Sequence, residues 1–142
     1  MKLQYLLDTS VVSNPIAARP DPNILRQLEE LGHSCSIAAV VWHELVYGCR
    51  RLPAGKRRAA VEAYLDEVVL RSFPILDYTE PAATWHAGER ARLEAAGRPA
   101  PFVDGQIAAI ACVNDLVLVT TNVRDFERFK DLEVVDWSKR RH

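Results

Sequence analysis

The sequence predicts an α/β fold in which a short parallel β-sheet of about four to five strands is sandwiched by α-helices. Short apolar segments, the clearest being residues 116–120, alternate along the chain with longer segments whose apolar residues recur at helical spacing. No stretch has the composition of a linker. Residues 1–142 are therefore expected to form a single domain.

The first half of the chain is expected to contain strands at residues 3–7, 35–38 and 73–76. The first of these is apolar and ends abruptly at Asp8. Asp21-Pro22 is typical of a helix cap followed by proline at the first helical position, and Gly32 suits the end of that helix. Residues 39–51 are predicted to be helical, and the apolar residues between positions 60 and 69 form a second helical stripe.

The second half begins with a predicted helix that starts at Thr79-Glu80-Pro81 and ends near Gly97. A proline-rich loop separates it from a helix whose small residues, after Phe102, suit close packing. Residues 116–120 are β-branched or apolar and form the strongest strand prediction. One helical turn at residues 125–129 and an edge strand at 133–135 complete the predicted fold.

Composition excludes several classes of protein. The chain has 18 Lys and Arg against 19 Asp and Glu, so a uniformly basic coat for nucleic acid is absent, although local patches are not excluded. No apolar run approaches the ~20 residues of a membrane span. None of the three cysteines stands in a CxxC motif, and their odd number suggests buried or half-buried thiols in a reducing compartment. A cytoplasmic location is therefore expected.

Polar residues follow several of the predicted strands, where sites form in parallel sheets. Asp8 ends the first strand, Glu44 lies in the second turn of the helix after the second strand, and Asp104 begins a helix after the proline-rich loop. Asn122 and Asp125 follow the strand at 116–120. Taken singly, each has an ordinary structural explanation, such as capping a helix or lying on a solvated helix face.

Taken together, these carboxylates would repel one another unless a cation lay between them. Oxygen ligands of this kind suit Mg²⁺ or Mn²⁺, and no His or Cys spacing indicates zinc. The chain has no glycine-rich phosphate loop, so phosphodiester hydrolysis is favoured over phosphoryl transfer from ATP. Without metal, at least one of Asp8, Glu44 and Asp104 is expected to have a raised pKa.

Basic residues cluster about two helical turns after Glu44. Five of them fall within nine positions, and four of these, Arg50, Arg51, Arg57 and Arg58, are candidate RNA ligands that would hold phosphates at the rim of the acidic centre. A solvated junction between two helices explains the same cluster without RNA. A second basic cluster is Lys139-Arg140-Arg141.

Four segments in order resemble those of PIN-domain proteins of the VapC toxin type. They are Leu6-Leu7-Asp8-Thr9-Ser10, His43-Glu44-Leu45-Val46-Tyr47-Gly48, Val103-Asp104-Gly105-Gln106-Ile107-Ala108 and Val119-Thr120-Thr121-Asn122-Val123-Arg124-Asp125-Phe126. Each is weak alone, but four in order at these separations are specific. The resemblance covers essentially the whole chain.

The resemblance implies an endoribonuclease that depends on Mg²⁺ or Mn²⁺, forms a homodimer, and is neutralised by a cognate VapB-like antitoxin. It implies that Asp8 and Asp104 hold the principal ion and that Glu44 is the second acidic position. The fourth acidic position falls at Asn122, where some members carry Asp, or at Asp125. Small polar residues that would line the pocket are Thr9, Ser10 and Thr121.

Two other functions remain compatible with the sequence. A domain with the same fold, lacking a proper fourth carboxylate, would bind RNA or a partner without cutting. A carboxylate-site phosphatase or a response-regulator-like domain would also place an Asp after the first strand, but no Lys follows residues 116–120 closely. For the toxin, the antitoxin is expected to cover residues 44–58, and antitoxin binding that survives charge reversal of the four arginines would contradict this.

Overall fold

The computed structural model describes residues 2–139, so Arg140 and Arg141 of the second basic cluster lie outside it. Within this range the strands are β1 (Tyr5–Leu7), β2 (Cys35–Ala38), β3 (Ile75–Leu76), β4 (Val117–Val119) and β5 (Val134–Val135). The α-helices are α1 (Thr9–Val12), α2 (Pro22–Leu31), α3 (Ala39–Arg50), α4 (Lys56–Tyr64), α5 (Leu70–Ser72), α6 (Glu80–Ala95), α7 (Phe102–Val113) and α8 (Val123–Phe126).

The five strands form one sheet in the order β3-β2-β1-β4-β5, and every pairing is parallel. This confirms the predicted α/β class. The strands are shorter than predicted at several ends. Residue 73 was expected to begin β3, but Phe73 is the C-cap of α5, and its amide still donates to the carbonyl of Val69 at 3.0 Å.

The strand order reverses next to β1. The chain places β2 and β3 on one side of β1, and β4 and β5 on the other. The right-handed rule for parallel crossovers predicts α2 to α5 on one face of the sheet and α6 to α8 on the opposite face. In such sheets a crevice opens beyond the carboxyl ends of the strands at the reversal, which here lies between β1 and β4.

The helical stripe at residues 60–69 is not one regular helix. After α4, residues Leu65–Val69 form a π-helical turn that leads into α5. Val61, Leu65 and Val69 are all buried and lie four residues apart. Side chains four residues apart share one face in α- and π-helical turns alike, so all three reach the core despite the change of helix type.

The core lies between the sheet and the helices on its two faces. Leu6, Ile37 and Leu118, from the three central strands, are fully buried. Cys35 and Cys49 are buried and Cys112 is half-buried, and all three are free thiols, as the sequence predicted. None of the helices between residues 2 and 139 is long and apolar enough to cross a bilayer.

Candidate active site

Asp8 lies directly after β1 at the strand reversal and is 8% exposed. It is the N-cap of α1, since its Oδ1 accepts a hydrogen bond from the Thr9 amide at 2.9 Å. Burial and the charges of Glu44 and Asp125 raise the pKa of Asp8, while its hydrogen bonds from Thr120 and Thr9 act in the opposite direction. Asp8 therefore caps α1 and also lies among the candidate site's carboxylates.

Thr120 is a site residue that the sequence analysis missed. Its hydroxyl donates to Oδ2 of Asp8 at 2.7 Å, and the same hydroxyl accepts from the Asn122 amide at 3.0 Å. Leu7 pairs with Val119 in the parallel register of β1 and β4, so the next residues, Asp8 and Thr120, lie side by side. The available signal was that residue 120 ends the strongest predicted strand.

Glu44 lies on α3 and is exposed. The hydroxyl of Thr9 donates to its Oε2 at 2.9 Å. Thr9 thus contacts two of the predicted carboxylates, Asp8 through its amide and Glu44 through its hydroxyl. Thr9 and Glu44, 35 positions apart along the chain, therefore meet just beyond the carboxyl end of β1.

Asp104 lies in the first turn of α7 and is half-buried. Burial, followed by the negative charges of Asp125, Asp8 and Glu44, raises its pKa to about 6, against a small opposite effect of Arg128. A raised pKa for at least one member of the group was expected, and both Asp8 and Asp104 have one. The charges of Glu44 and Asp125 therefore lie close enough to Asp8 and Asp104 to oppose the ionisation of these two groups.

The two candidates for the fourth acidic position differ in their surroundings. Asp125 is exposed on α8, and its charge is the strongest of those that raise the pKa of Asp104. Asn122 occupies the N-cap position of α8, but its side chain makes no capping hydrogen bond. Nearby, the Thr121 amide donates to the Ser10 hydroxyl at 3.2 Å, which joins the loop after β4 to α1.

The donor set suits a hard divalent cation, although it is not a closed ligand shell. All of its members are oxygen donors, and their mutual repulsion is the kind that a divalent ion relieves. Among residues 2–139, no three His, Cys, Asp or Glu side chains already converge closely enough to enclose an ion. The carboxylates of Asp8 and Glu44 also accept hydrogen bonds from Thr120 and Thr9, which orient the two side chains.

The four candidate RNA-binding arginines fall into two pairs. Arg50 and Arg51 are exposed at the end of α3, and the Arg51 guanidinium lies 4.9 Å from the centre of the Tyr47 ring. Arg57 donates to the carbonyl of Ile16 at 3.1 Å. Arg58 pairs with Glu62 at 3.3 Å. The second pair is therefore engaged within the chain, which spacing alone did not reveal.

A groove of about 580 Å³ lies beside α8 and adjoins the acidic site through Asp125. Thr121 and Asn122 also line it. Two exposed cations, Arg124 and Lys139, line it as well. Glu127 and Asp136 also line the groove, so three carboxylates face its two cations and the groove is not a basic surface.

Comparison with known proteins agrees with this geometry. A family model of the PIN domain matches residues 5–132. The tRNA(fMet)-specific endonuclease VapC of Shigella flexneri is 36% identical over 138 residues, which cover 96% of this chain and 99% of that protein. Toxin FitB of Neisseria gonorrhoeae is 30% identical over 85% of this chain and 89% of its own length. A solved structure of FitAB bound to an IR36 DNA fragment matches with a TM-score of 0.90 at 26% identity, covering 98% of this chain and 99% of that one. The chain therefore belongs to the PIN-domain family, among proteins of the VapC type.

Proposed function

We propose that this protein is an endoribonuclease that depends on Mg²⁺ or Mn²⁺ and acts as the toxin of a toxin–antitoxin pair. The observation that carries the proposal is that burial, together with the charges of neighbouring carboxylates, raises the pKa values of Asp8 and Asp104 at the strand reversal. A site that raises these pKa values without metal gains most from a bound divalent cation. The name of the Shigella relative, a tRNA-specific endonuclease, supports RNA as the substrate.

In this proposal Asp8 and Asp104 hold the principal ion, with Glu44 and Asp125 as the further carboxylates. The bound ion would activate water and offset negative charge on the scissile phosphate. Thr120 fixes the orientation of the Asp8 carboxylate and favours its ionised form through a hydrogen bond. Thr9 does the same for the direction of Glu44, so two hydroxyls arrange the acidic site before RNA arrives.

The proposal is tested with purified protein, total RNA and millimolar Mg²⁺ or Mn²⁺. Asp8→Asn and Asp104→Asn each retain the shape of the side chain but remove a metal-binding charge, so RNA cleavage should fall by at least about 100-fold. EDTA should abolish cleavage by the wild-type protein. Mapping of RNA ends then identifies the cleaved bonds.

Asp77→Asn is the matched control. Asp77 also follows a strand, but that strand is β3 at the far edge of the sheet. Its replacement should leave cleavage unchanged. Equal cleavage by wild type and Asp8→Asn would contradict the proposal, because it would place the activity outside this site or in a contaminant.

A second candidate function is an RNA- or partner-binding domain with little catalytic activity. Two observations favour it. Asn122, at one of the two candidates for the fourth acidic position, has an uncharged side chain. Within residues 2–139, no three His, Cys, Asp or Glu side chains lie close enough together to enclose a metal ion. RNA binding by the wild type, with no metal-dependent cleavage under any tested condition, would support this function and exclude the first.

We further propose that a cognate VapB-like antitoxin binds this protein, that the protein forms a homodimer and that it acts in the cytoplasm. The toxin FitB and the solved FitAB assembly support the pairing. Large apolar side chains are exposed beside the acidic site, among them Tyr47, Phe102 and Val103. Light scattering after gel filtration, with and without the antitoxin, measures both associations. A monomer that does not bind the antitoxin would contradict both.

A further inference from the structure

The first turn of α7, which carries Asp104, has no side-chain cap. Pro101 occupies the N-cap position and makes no capping hydrogen bond. The orientation of Asp104 therefore depends on what the turn packs against. The next residue, Gly105, is buried, and its neighbour across the interface is His86 of α6.

Gly105 approaches the His86 ring too closely for any side chain. A Cβ atom added to Gly105 would lie 2.6 Å from Cδ2 and 3.0 Å from Cε1 of His86, and closer still to Nε2. A Cβ atom added to Gly88, also on α6, would have no neighbouring atom within 4 Å. The absence of a side chain at position 105 is therefore what lets the turn lie on the imidazole.

The imidazole is held on several sides. His86 is 3% exposed, and its Nδ1 is hydrogen-bonded to the Tyr78 hydroxyl at 2.8 Å. The Phe102 ring, from the first residue of α7, lies 4.7 Å from the imidazole between centroids. The Arg90 guanidinium lies 5.3 Å from the Phe102 ring centre. The His86 imidazole therefore cannot move aside without breaking its hydrogen bond with Tyr78 and leaving a cavity.

We propose that Tyr78 and His86 are positioning residues for metal binding: the hydrogen-bonded imidazole supports Gly105 and so fixes the direction of the Asp104 carboxylate. This inference rests on the proposed function, since it concerns the ion that Asp104 would hold. Burial and Arg90 lower the pKa of His86, which favours the neutral imidazole. Groups that support metal ligands from behind typically change affinity about 10- to 100-fold when altered.

Gly105→Ala tests the proposal by lifting the turn away from the ring. We expect Mn²⁺ affinity, measured by titration of the purified protein, to fall about 10- to 100-fold. Cleavage should require correspondingly more Mn²⁺, whereas the RNA concentration at half-maximal rate, measured in saturating Mn²⁺, should stay unchanged. Gly88→Ala, on the open face of α6, is the control and should bind Mn²⁺ like the wild type.

A double variant separates positioning from general damage. His86→Ala removes the support, and on its own it should also weaken Mn²⁺ binding. Combined with Gly105→Ala, the new methyl group partly fills the vacated space, so the double variant should bind Mn²⁺ more tightly than either single variant. If the loss of Mn²⁺ affinity in the double variant equalled the sum of the losses in the two single variants, the proposed contact would be contradicted.

Tyr78→Phe provides a milder test if Gly105→Ala fails to fold. It removes only the hydroxyl that orients the imidazole, so Mn²⁺ affinity should fall while the melting temperature changes little. Wild-type affinity in a folded Gly105→Ala or Tyr78→Phe variant would overturn the inference alone. A wild-type protein that neither binds Mn²⁺ nor cuts RNA would instead contradict the proposed function.

Discussion

The hydroxyl of Thr120 has the largest lowering effect on the pKa of Asp8. Burial and two neighbouring carboxylates favour the protonated form of Asp8, and the strongest effect in the other direction is the hydrogen bond from Thr120. Hydrogen bonds to charged groups contribute about 1.5–3 kcal/mol. The hydrogen bond from Thr120 therefore opposes the effect of burial on the pKa of Asp8 and favours the ionised form, which binds a cation.

Thr120→Val removes this donor at nearly constant side-chain shape. The pKa of Asp8 should then rise further, so the acidic limb of the cleavage–pH profile should move to higher pH. The loss of activity should be about tenfold or more below neutral pH and smaller at alkaline pH. Thr120→Ser keeps the hydroxyl and should retain the wild-type profile. Identical profiles for the valine and serine variants would show that the hydroxyl does not act on Asp8.

The carboxylates of the site were predictable from the sequence, whereas the residues that arrange them were not. Asp8 stands out because it interrupts an apolar run at a strand end, and Asp104 because it opens a helix after a loop. Thr120 reads as the last residue of a β-branched strand, and only the register with β1 reveals its partner. His86 has no metal-ligand spacing, and its contact with Gly105 depends on how two helices pack.

At the scale of elements, α3 joins two opposite charges. Glu44 lies in its middle, near the acidic site, while Arg50 ends the helix and Arg51 follows it. Cations at a helix C-terminus are favoured by the helix dipole, so the arrangement also suits the stability of α3. Between them, on the exposed face, Tyr47 stacks with His43 at 6.1 Å between ring centres and contacts Arg51. A polyanion that reaches Glu44 along α3 therefore passes these cations.

This arrangement predicts that the two arginine pairs contribute unequally to RNA binding. In an Asp8→Asn background, which leaves the RNA intact, replacing Arg50 and Arg51 by Ala should weaken binding at low salt. The slope of log affinity against log salt should fall by about 0.7 for each phosphate that is no longer neutralised. Replacing Arg57 and Arg58 should change it less, because both are engaged within the chain. Equal slopes for the two double variants would contradict the assignment.

The elements themselves were largely predictable, and the errors have physical causes. The parallel sheet follows from apolar strands that alternate with helices. Hydrophobic periodicity tolerates the π turn at Leu65–Val69, because a spacing of four residues is common to both helix types over a short range. Strand ends were overextended because apolar residues such as Phe73 are buried whether or not they pair with a neighbouring strand.

At the scale of the whole molecule, the net charge of −1 conceals local imbalance. The folded chain places Asp8, Glu44 and Asp125 near Asp104. Repulsion among these like charges lowers the free energy of unfolding when no ion is bound. Proteins commonly retain such destabilising arrangements where function requires them. Stability and metal binding should therefore be coupled through pH.

Asp104→Asn should stabilise the metal-free protein at pH 7.5. The folded-state pKa of Asp104, about 6, lies above its ordinary value of 3.8, so ionisation destabilises the fold fully above pH 6 and not at all below pH 3.8. After allowance for solvent screening of this half-buried group, we expect about 1 kcal/mol, or a melting temperature higher by about 2–4 °C.

Melting in EDTA at pH 7.5 and pH 4 measures this effect. The advantage of Asp104→Asn should shrink at pH 4, where the wild-type carboxyl is largely protonated in the folded state. Mg²⁺ should reverse the order at pH 7.5 by stabilising the wild type alone. An advantage of the same size at both pH values would indicate that the substitution acts by some means other than charge.

The strand order also sets when the site can exist during synthesis. Asp8 and Thr120 are 112 positions apart, yet they lie side by side because β4 pairs with β1. At about 5–20 residues per second, the ribosome makes Asp8 roughly 6–22 s before its partner. Throughout that interval β1 lacks one of its two neighbours, and the Asp8 carboxylate lacks the hydroxyl that orients it. A ribosome translating this chain therefore carries no assembled site until the final strands have emerged.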